Sequence, residues 1–134
     1  MASRKLSDLA PDVRFLAEKF LDSADDEGIE VLVTCTYRSG MEQAALYAQG
    51  RTTKGKIVTN AKPGESLHNL LLNGQPGARA LDVVPMVMGK PMWDAENPLW
   101  KRLGEIGESV GLKWGGRWKK PDKPHFELKE TAYT

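Results

Sequence analysis

The chain has 134 residues, 40% of them hydrophobic, with 19 basic and 18 acidic side chains and a formal charge of +1. That length suits one compact domain over residues 1–134, and the composition excludes wholesale disorder. The near-zero charge argues against a dedicated nucleic-acid binder, and the single cysteine, Cys35, excludes an intramolecular disulfide framework.

Residues 6–20 are interrupted by Asp8, Pro11, Asp12, Arg14, Glu18 and Lys19, so no secretory signal is expected there. No stretch approaches the ~20 apolar residues of a membrane-spanning helix. A soluble product made in the cytoplasm is the expectation. Leu9, Val13, Leu16, Ala17, Phe20 and Leu21 recur at helical spacing and predict an amphipathic helix over about 8–25, with Pro11 in its first turn. Asp25, Asp26 and Glu27 form an acidic exit, and Gly28 is the stop. Glu30 to Tyr37 is rich in β-branched residues and predicts a central strand.

Met41 to Gln49 is a short helical pattern ended by Gly50, and Arg51 to Glu65 is a long loop, of the kind that is more often functional than decorative. Ala80 to Pro85 predicts a second strand. Asn97 and Pro98 cap a helix whose Leu99, Leu103, Ile106 and Val110 share one face up to Gly111. Leu112 to Trp114 and His125 to Leu128 predict two short strands. Helices and strands mix without βαβ alternation. The fold class is therefore α+β, with helices packed on a small, mainly antiparallel sheet.

His68 and His125 are the only histidines. The first follows the loop in Ser66-Leu67-His68-Asn69, and the second opens a strand in Asp122-Lys123-Pro124-His125-Phe126-Glu127. Between them Asp82 interrupts the apolar run Leu81 to Val84, where an ionised carboxylate is costly unless paired or bound to a cation. Two histidines and one aspartate with an open fourth position make a sensible catalytic zinc site. Structural histidines, with Asp82 paired to Arg79 or Arg38, account for the same residues and are the commoner case on spacing alone. Neither HExxH nor paired CxxC is present to decide.

Ordered blocks do decide. They are Tyr37-Arg38-Ser39, Glu42 to Thr52, Ile57 to Asn69, Ala80 to Pro85, Gly111 to Gly116 and Asp122 to Phe126. Together they span about Thr36 to Glu127 and resemble the zinc D-alanyl-D-alanine carboxypeptidase/L-alanyl-D-glutamate endopeptidase family, particularly small phage endolysins that cut peptidoglycan stem peptides. The resemblance implies a hedgehog/DD-peptidase-like form of the α+β fold. It implies one zinc per chain, held by His68, Asp82 and His125. Asp122 matches the acidic residue that handles the proton, and Arg38 the arginine that steadies the oxyanion. Gln43 and Ser66 match supporting positions, although Ser66 equally reads as a turn cap and Gln43 as an exposed helical residue. A monomer without a separate cell-wall binding domain is expected. Stem peptides are the expected substrate, with no nucleic-acid partner expected and a holin expected to open the route to the wall.

One departure stands out. The family pattern places the aspartate seven residues after the first histidine, whereas Asp82 lies fourteen after His68 and Ala78 replaces an expected glycine. The extra stretch, about Leu70 to Pro76, ends in the turn signature Asn73-Gly74-Gln75-Pro76. Loop lengthening costs little entropy, so the insertion should bulge outward and leave Asp82 in place.

Rival readings are a D-alanyl-D-alanine carboxypeptidase, a non-catalytic cell-wall binding module, and an anionic-polymer binder built on Arg117-Trp118-Lys119-Lys120. Trp114 and Trp118 are candidates for the groove wall or for the core. Glu127, two residues beyond His125 on one strand face, competes with Asp122 as base or serves as partner to a ligand.

Overall fold

The computed structural model describes residues 2–129. A short 3-10 turn at Leu6–Asp8 leads into α1 (Pro11–Asp26), followed by β1 (Glu30–Cys35) and α2 (Gly40–Ala48). A second 3-10 turn, Leu67–Asn69, precedes β2 (Leu71–Leu72) and β3 (Gln75–Pro76). Then come β4 (Ala80–Val87), β5 (Lys90–Pro91), α3 (Leu99–Val110), β6 (Lys113–Trp114), a 3-10 turn Gly115–Arg117 and β7 (His125–Glu127). The main sheet runs β1-β4-β7-β6, with β5 also on β4, and every pairing is antiparallel.

Each expected element is present, with shifted ends. Proline at the first helical position places the start of α1 at Pro11 rather than near residue 8. β1 slips in register against β4 between Val33 and Cys35 and stops at Cys35, two residues short of Tyr37, where the main chain of Thr36 and Tyr37 bonds to Ser3 instead. Ser39 and Glu42 form a reciprocal capping box that starts α2. The Asn97 side chain accepts the Leu99 N–H at 2.9 Å and caps α3.

The insertion folds as the β2–β3 hairpin, which the sequence reading treated only as a turn. Asn73 and Gly74 both have positive φ, at 53° and 77°, as a tight two-residue hairpin turn requires. The hairpin neck closes through the Gly77 N–H and Leu70 carbonyl at 3.0 Å. Just beyond it, Ala78 pairs with the Asp8–Ala10 main chain.

Helices α1 and α3 cover one face of the sheet. Val13, Leu16, Ala17 and Phe20 of α1 and Leu103 and Ile106 of α3 pack with Leu81, Val83, Trp114 and Phe126. The approach of α3 depends on missing side chains. A Cβ on Gly104 would stand 2.2 Å from the Trp114 ring, and one on Gly107 2.4 Å from the Phe126 ring. Alternation along β4 sends Leu81 and Val83 into this core and Asp82 to the opposite face. The insertion has not moved Asp82 off that register.

Candidate metal centre

Asp82 occupies the middle strand, opposite Cys35 of β1 on one side and His125 of β7 on the other. His68 reaches the same face from its 3-10 turn. Ser66 caps that turn by accepting the His68 N–H at 3.2 Å. The turn is tied on both sides, by the Arg38 N–H to the His68 carbonyl and the Arg79 N–H to the Leu67 carbonyl, both 2.9 Å.

The hydrogen bonds fix both rings. His68 Nδ1 donates to the Thr36 carbonyl at 2.7 Å, so its Nε2 faces Asp82 Oδ1 at 3.2 Å. His125 Nε2 donates to Glu127 Oε1 at 2.7 Å, so its Nδ1 faces the same oxygen at 3.1 Å. With both rings neutral, two nitrogen lone pairs and a carboxylate oxygen converge on one point. Such a cluster must take up protons or a cation.

The electrostatics say the same. Burial disfavours a charged His68, yet hydrogen bonds to Asp82 and Cys35 push it up to about 10. His125 is likewise opposed by burial and raised by Asp82 and Glu127 to about 9. Burial raises Asp82, but the two imidazoles outweigh it and hold the carboxyl well below the usual range. A divalent cation supplies the charge those protons would otherwise bring, and the outward nitrogens already carry the carbonyl and carboxylate partners typical of metal-ligating histidines. The donor set fits zinc.

Cys35, which the sequence reading left aside, joins this cluster: one ligand atom from each of Cys35, His68 and Asp82 lies within 4.8 Å of the others. Its thiol is 3.6 Å from His68 Nδ1, the nitrogen already given to Thr36, and 3.5 Å from Arg38 Nη2. It therefore lies behind the His68 ring, away from Nε2. No linear signal marks Cys35, because its placement depends on strand pairing.

Arg38 Nη1 donates to Gln43 Oε1 at 3.0 Å, and Nη2 lies 3.9 Å from Asp82 Oδ2. Gln43 is fully buried, not an exposed helical residue. Arg79 is not a partner of Asp82; it clamps Asp12 through two hydrogen bonds of 3.0 and 2.8 Å. Asp122 enters the cleft from the turn before β7. Burial, then the Asp82 charge, raises its carboxyl above the ordinary value against the pull of His125, His68 and Arg38. Gly115 lets that turn sit close, since a Cβ there would meet the Asp122 carbonyl at 2.5 Å.

A cleft of about 610 Å³ joins Arg38, Ser66, His68, Asp82, Trp118, Asp122, His125 and Glu127. Trp118 lies with its ring centroid 5.1 Å from that of His125 and forms part of the wall. Trp114 does not. It is buried in the core, and its Nε1–H donates to the Lys123 carbonyl at 2.8 Å beneath the Asp122 turn. In the basic stretch, Arg117 is paired with Glu108 at 2.9 Å.

The chain is similar to several known proteins. A family model described as D-alanyl-D-alanine carboxypeptidase matches residues 60–128, which include His68, Asp82, Asp122 and His125. The peptidoglycan L-alanyl-D-glutamate endopeptidase CwlK of Bacillus subtilis is 39% identical over 130 residues, covering 91% of this chain and 74% of that protein. An L-alanyl-D-glutamate peptidase of a Listeria phage is 31% identical over 128 residues, covering 93% of this chain but only 40% of its own length. Among solved structures, the vancomycin-resistance D,D-pentapeptidase VanY in complex with Zn(II) shares the fold at a TM-score of 0.62. Its identity is 15%, over 90% of this chain and 72% of that one.

Proposed function

The chain belongs to the D-alanyl-D-alanine carboxypeptidase family of peptidases, and on that premise we propose that it is a zinc-dependent endopeptidase cutting the L-alanyl-D-glutamate bond of peptidoglycan stem peptides. The observation that carries the metal assignment is the convergence of His68 Nε2 and His125 Nδ1 on one Asp82 oxygen at 3.2 and 3.1 Å. Their opposite nitrogens are already engaged. His68, Asp82 and His125 would hold one zinc ion. When bound, the ion supplies a Lewis acid that polarises the scissile carbonyl and activates water.

The chain's own groups do the rest. The Asp122 carboxylate, raised by burial, takes a proton from the attacking water and delivers it to the leaving amine nitrogen. Arg38 is held by Gln43 through Nη1 and directs its charge at the oxyanion of the tetrahedral intermediate. Glu127 accepts from His125 Nε2 and keeps the ring's Nδ1 turned towards Asp82. These contacts support Asp122 as the base and Glu127 as the residue that orients the ring. Ser66 fixes the turn that presents His68, and Trp118 walls the cleft.

The L-alanyl-D-glutamate bond is favoured over terminal D-alanine because the Bacillus and Listeria phage relatives described above carry that specificity in their names. Phage-induced lysis is the setting suggested by the likeness to the phage peptidase, with the chain acting as a monomer on the wall and a holin opening the membrane. No helix among the described residues is long and apolar enough to cross a membrane. Mass spectrometry of purified peptidoglycan digested with the protein tests the bond assignment. New N-terminal glutamate on the released peptides is expected, and release of free D-alanine alone replaces the reading with a carboxypeptidase.

A further inference from the structure

Arg38 lies in the link between the end of β1 at Cys35 and the start of α2 at Gly40, where neither a strand nor a helix holds its main chain. The turn that carries His68 holds it instead. The Arg38 N–H donates to the His68 carbonyl at 2.9 Å. One residue further on, Asn69 Nδ2 donates to the Arg38 carbonyl at 2.8 Å. Both main-chain polar groups of Arg38 are thus fixed by two consecutive residues of one turn.

The Asn69 amide has one orientation. Its nitrogen must donate to the Arg38 carbonyl, and its oxygen accepts the Gly64 N–H at 3.2 Å. Nδ2 also lies 3.5 Å from Gln43 Oε1, the oxygen that accepts from Arg38 Nη1 at 3.0 Å. Gln43 Nε2 is spent on the Ala61 carbonyl at 2.8 Å, so that oxygen cannot turn away from Arg38. Asn69 therefore meets Arg38 at both ends, the carbonyl directly and the guanidinium through a shared acceptor. It is not itself part of the cleft wall, whereas Arg38 is. Any effect of Asn69 on hydrolysis must pass through a neighbour.

We propose that Asn69 is a positioning residue for Arg38, setting where its guanidinium stands relative to the neighbouring ligand His68. An arginine has a long, freely rotating stem, and ordering it costs entropy that fixed neighbours must offset. Displacing a catalytic group by about 1 Å can cost on the order of 10²-fold in rate. The proposal rests on the reading of Arg38 as the group that meets the oxyanion, and it adds the residue that places it. A purely structural Asn69 would close the turn without any dependence on the Arg38 side chain.

The test is a double-mutant cycle on Asn69→Ala and Arg38→Ala, read as kcat and KM on a soluble muropeptide with zinc content and Tm measured on the same samples. Arg38→Ala should lower kcat by about 10²-fold or more. Asn69→Ala should lower kcat about tenfold, with KM within about twofold and zinc content unchanged. In the Arg38→Ala background the same substitution should change kcat less than about twofold, because no guanidinium is left to place. Asn69→Asp keeps the acceptor for the Gly64 N–H and loses the donor to the Arg38 carbonyl, so it should match Asn69→Ala, and it decides the matter if the alanine variant does not fold. Equal losses in both backgrounds overturn the proposal, as does a zinc-loaded Asn69 variant with parental kcat, or a loss that follows zinc content. A fully active Arg38→Ala protein removes the oxyanion role and the proposal with it. The bond assignment is read separately, from the products: a shift to free D-alanine displaces it and leaves the cycle intact on whichever bond is cut.

Discussion

Asp122 and Glu127 stand three residues before and two after His125, and their hydrogen bonding separates them. Glu127 is committed to His125 Nε2 at 2.7 Å, whereas the Asp122 carboxyl lies in the cleft with its proton affinity raised by burial. Asp122→Asn should keep zinc and Tm but lose hydrolysis by about 10²-fold or more, measured as initial rate on purified peptidoglycan. A fully active, zinc-loaded variant would overturn the base assignment. Glu127→Gln should instead weaken zinc affinity by about 10- to 100-fold, read by chelator competition. The two histidines give a stricter test. Because no other imidazole exists in the chain, His68→Ala and His125→Ala should each abolish the one-to-one zinc content expected of the parent, with metal analysis as the readout.

At the scale of elements, the site depends on how closely α3 seats on the sheet from behind. Gly107 faces the Phe126 ring, and Phe126 is the residue between His125 and Glu127 on β7. In an exposed helix, glycine to alanine would stabilise by about 1 kcal/mol. Here the added Cβ would stand 2.4 Å from a fully buried ring. Overpacking of that kind costs about 1–3 kcal/mol in a close-packed core. Gly107→Ala should therefore lower stability in chemical denaturation despite its better helix propensity. The β2–β3 hairpin is separate from the site. Its exposed tip and closed neck leave Asp82 in register, so Gly74→Ala, strained by the positive φ of 77°, should cost stability and leave kcat unchanged.

Across the whole molecule, Arg79 joins the start of α1 to the end of the sheet. It pairs with Asp12 in a fork and also donates to the Leu128 carbonyl at 2.9 Å. The hydrogen bond to Arg79 is the largest cause holding Asp12 below its usual value, ahead of an opposing burial effect. A depressed carboxyl contributes stability that is complete above its unfolded value, near 3.9, and is lost as the pH falls through the lower folded value. Asp12→Asn should thus be less stable than the parent by about 1–3 kcal/mol near neutrality. The gap should stay flat down to about pH 5 and close below pH 4, followed by paired denaturation curves across that range. A gap that persists undiminished at pH 2 would show that packing, not charge, is responsible.

Periodicity in the sequence determined the elements. The 3.6-residue spacing of Val13, Leu16, Ala17 and Phe20, and the β-branched runs at 30–35 and 80–87, carry their secondary structure in local order. The ordered motifs around His68, Asp82, Asp122 and His125 carried the family, and with it the candidate site. Element ends, the inserted hairpin and every partner outside those motifs were decided by tertiary structure. Cys35 reaches the cluster only because β1 pairs with β4, and Trp114 leaves the cleft only because α3 presents Gly104 to its ring. Gln43 becomes a buried anchor only because the loop folds back over α2. The reason is physical: backbone preference is local and recurs along the chain, whereas strand register and burial join residues far apart in sequence and exist only once the sheet has formed.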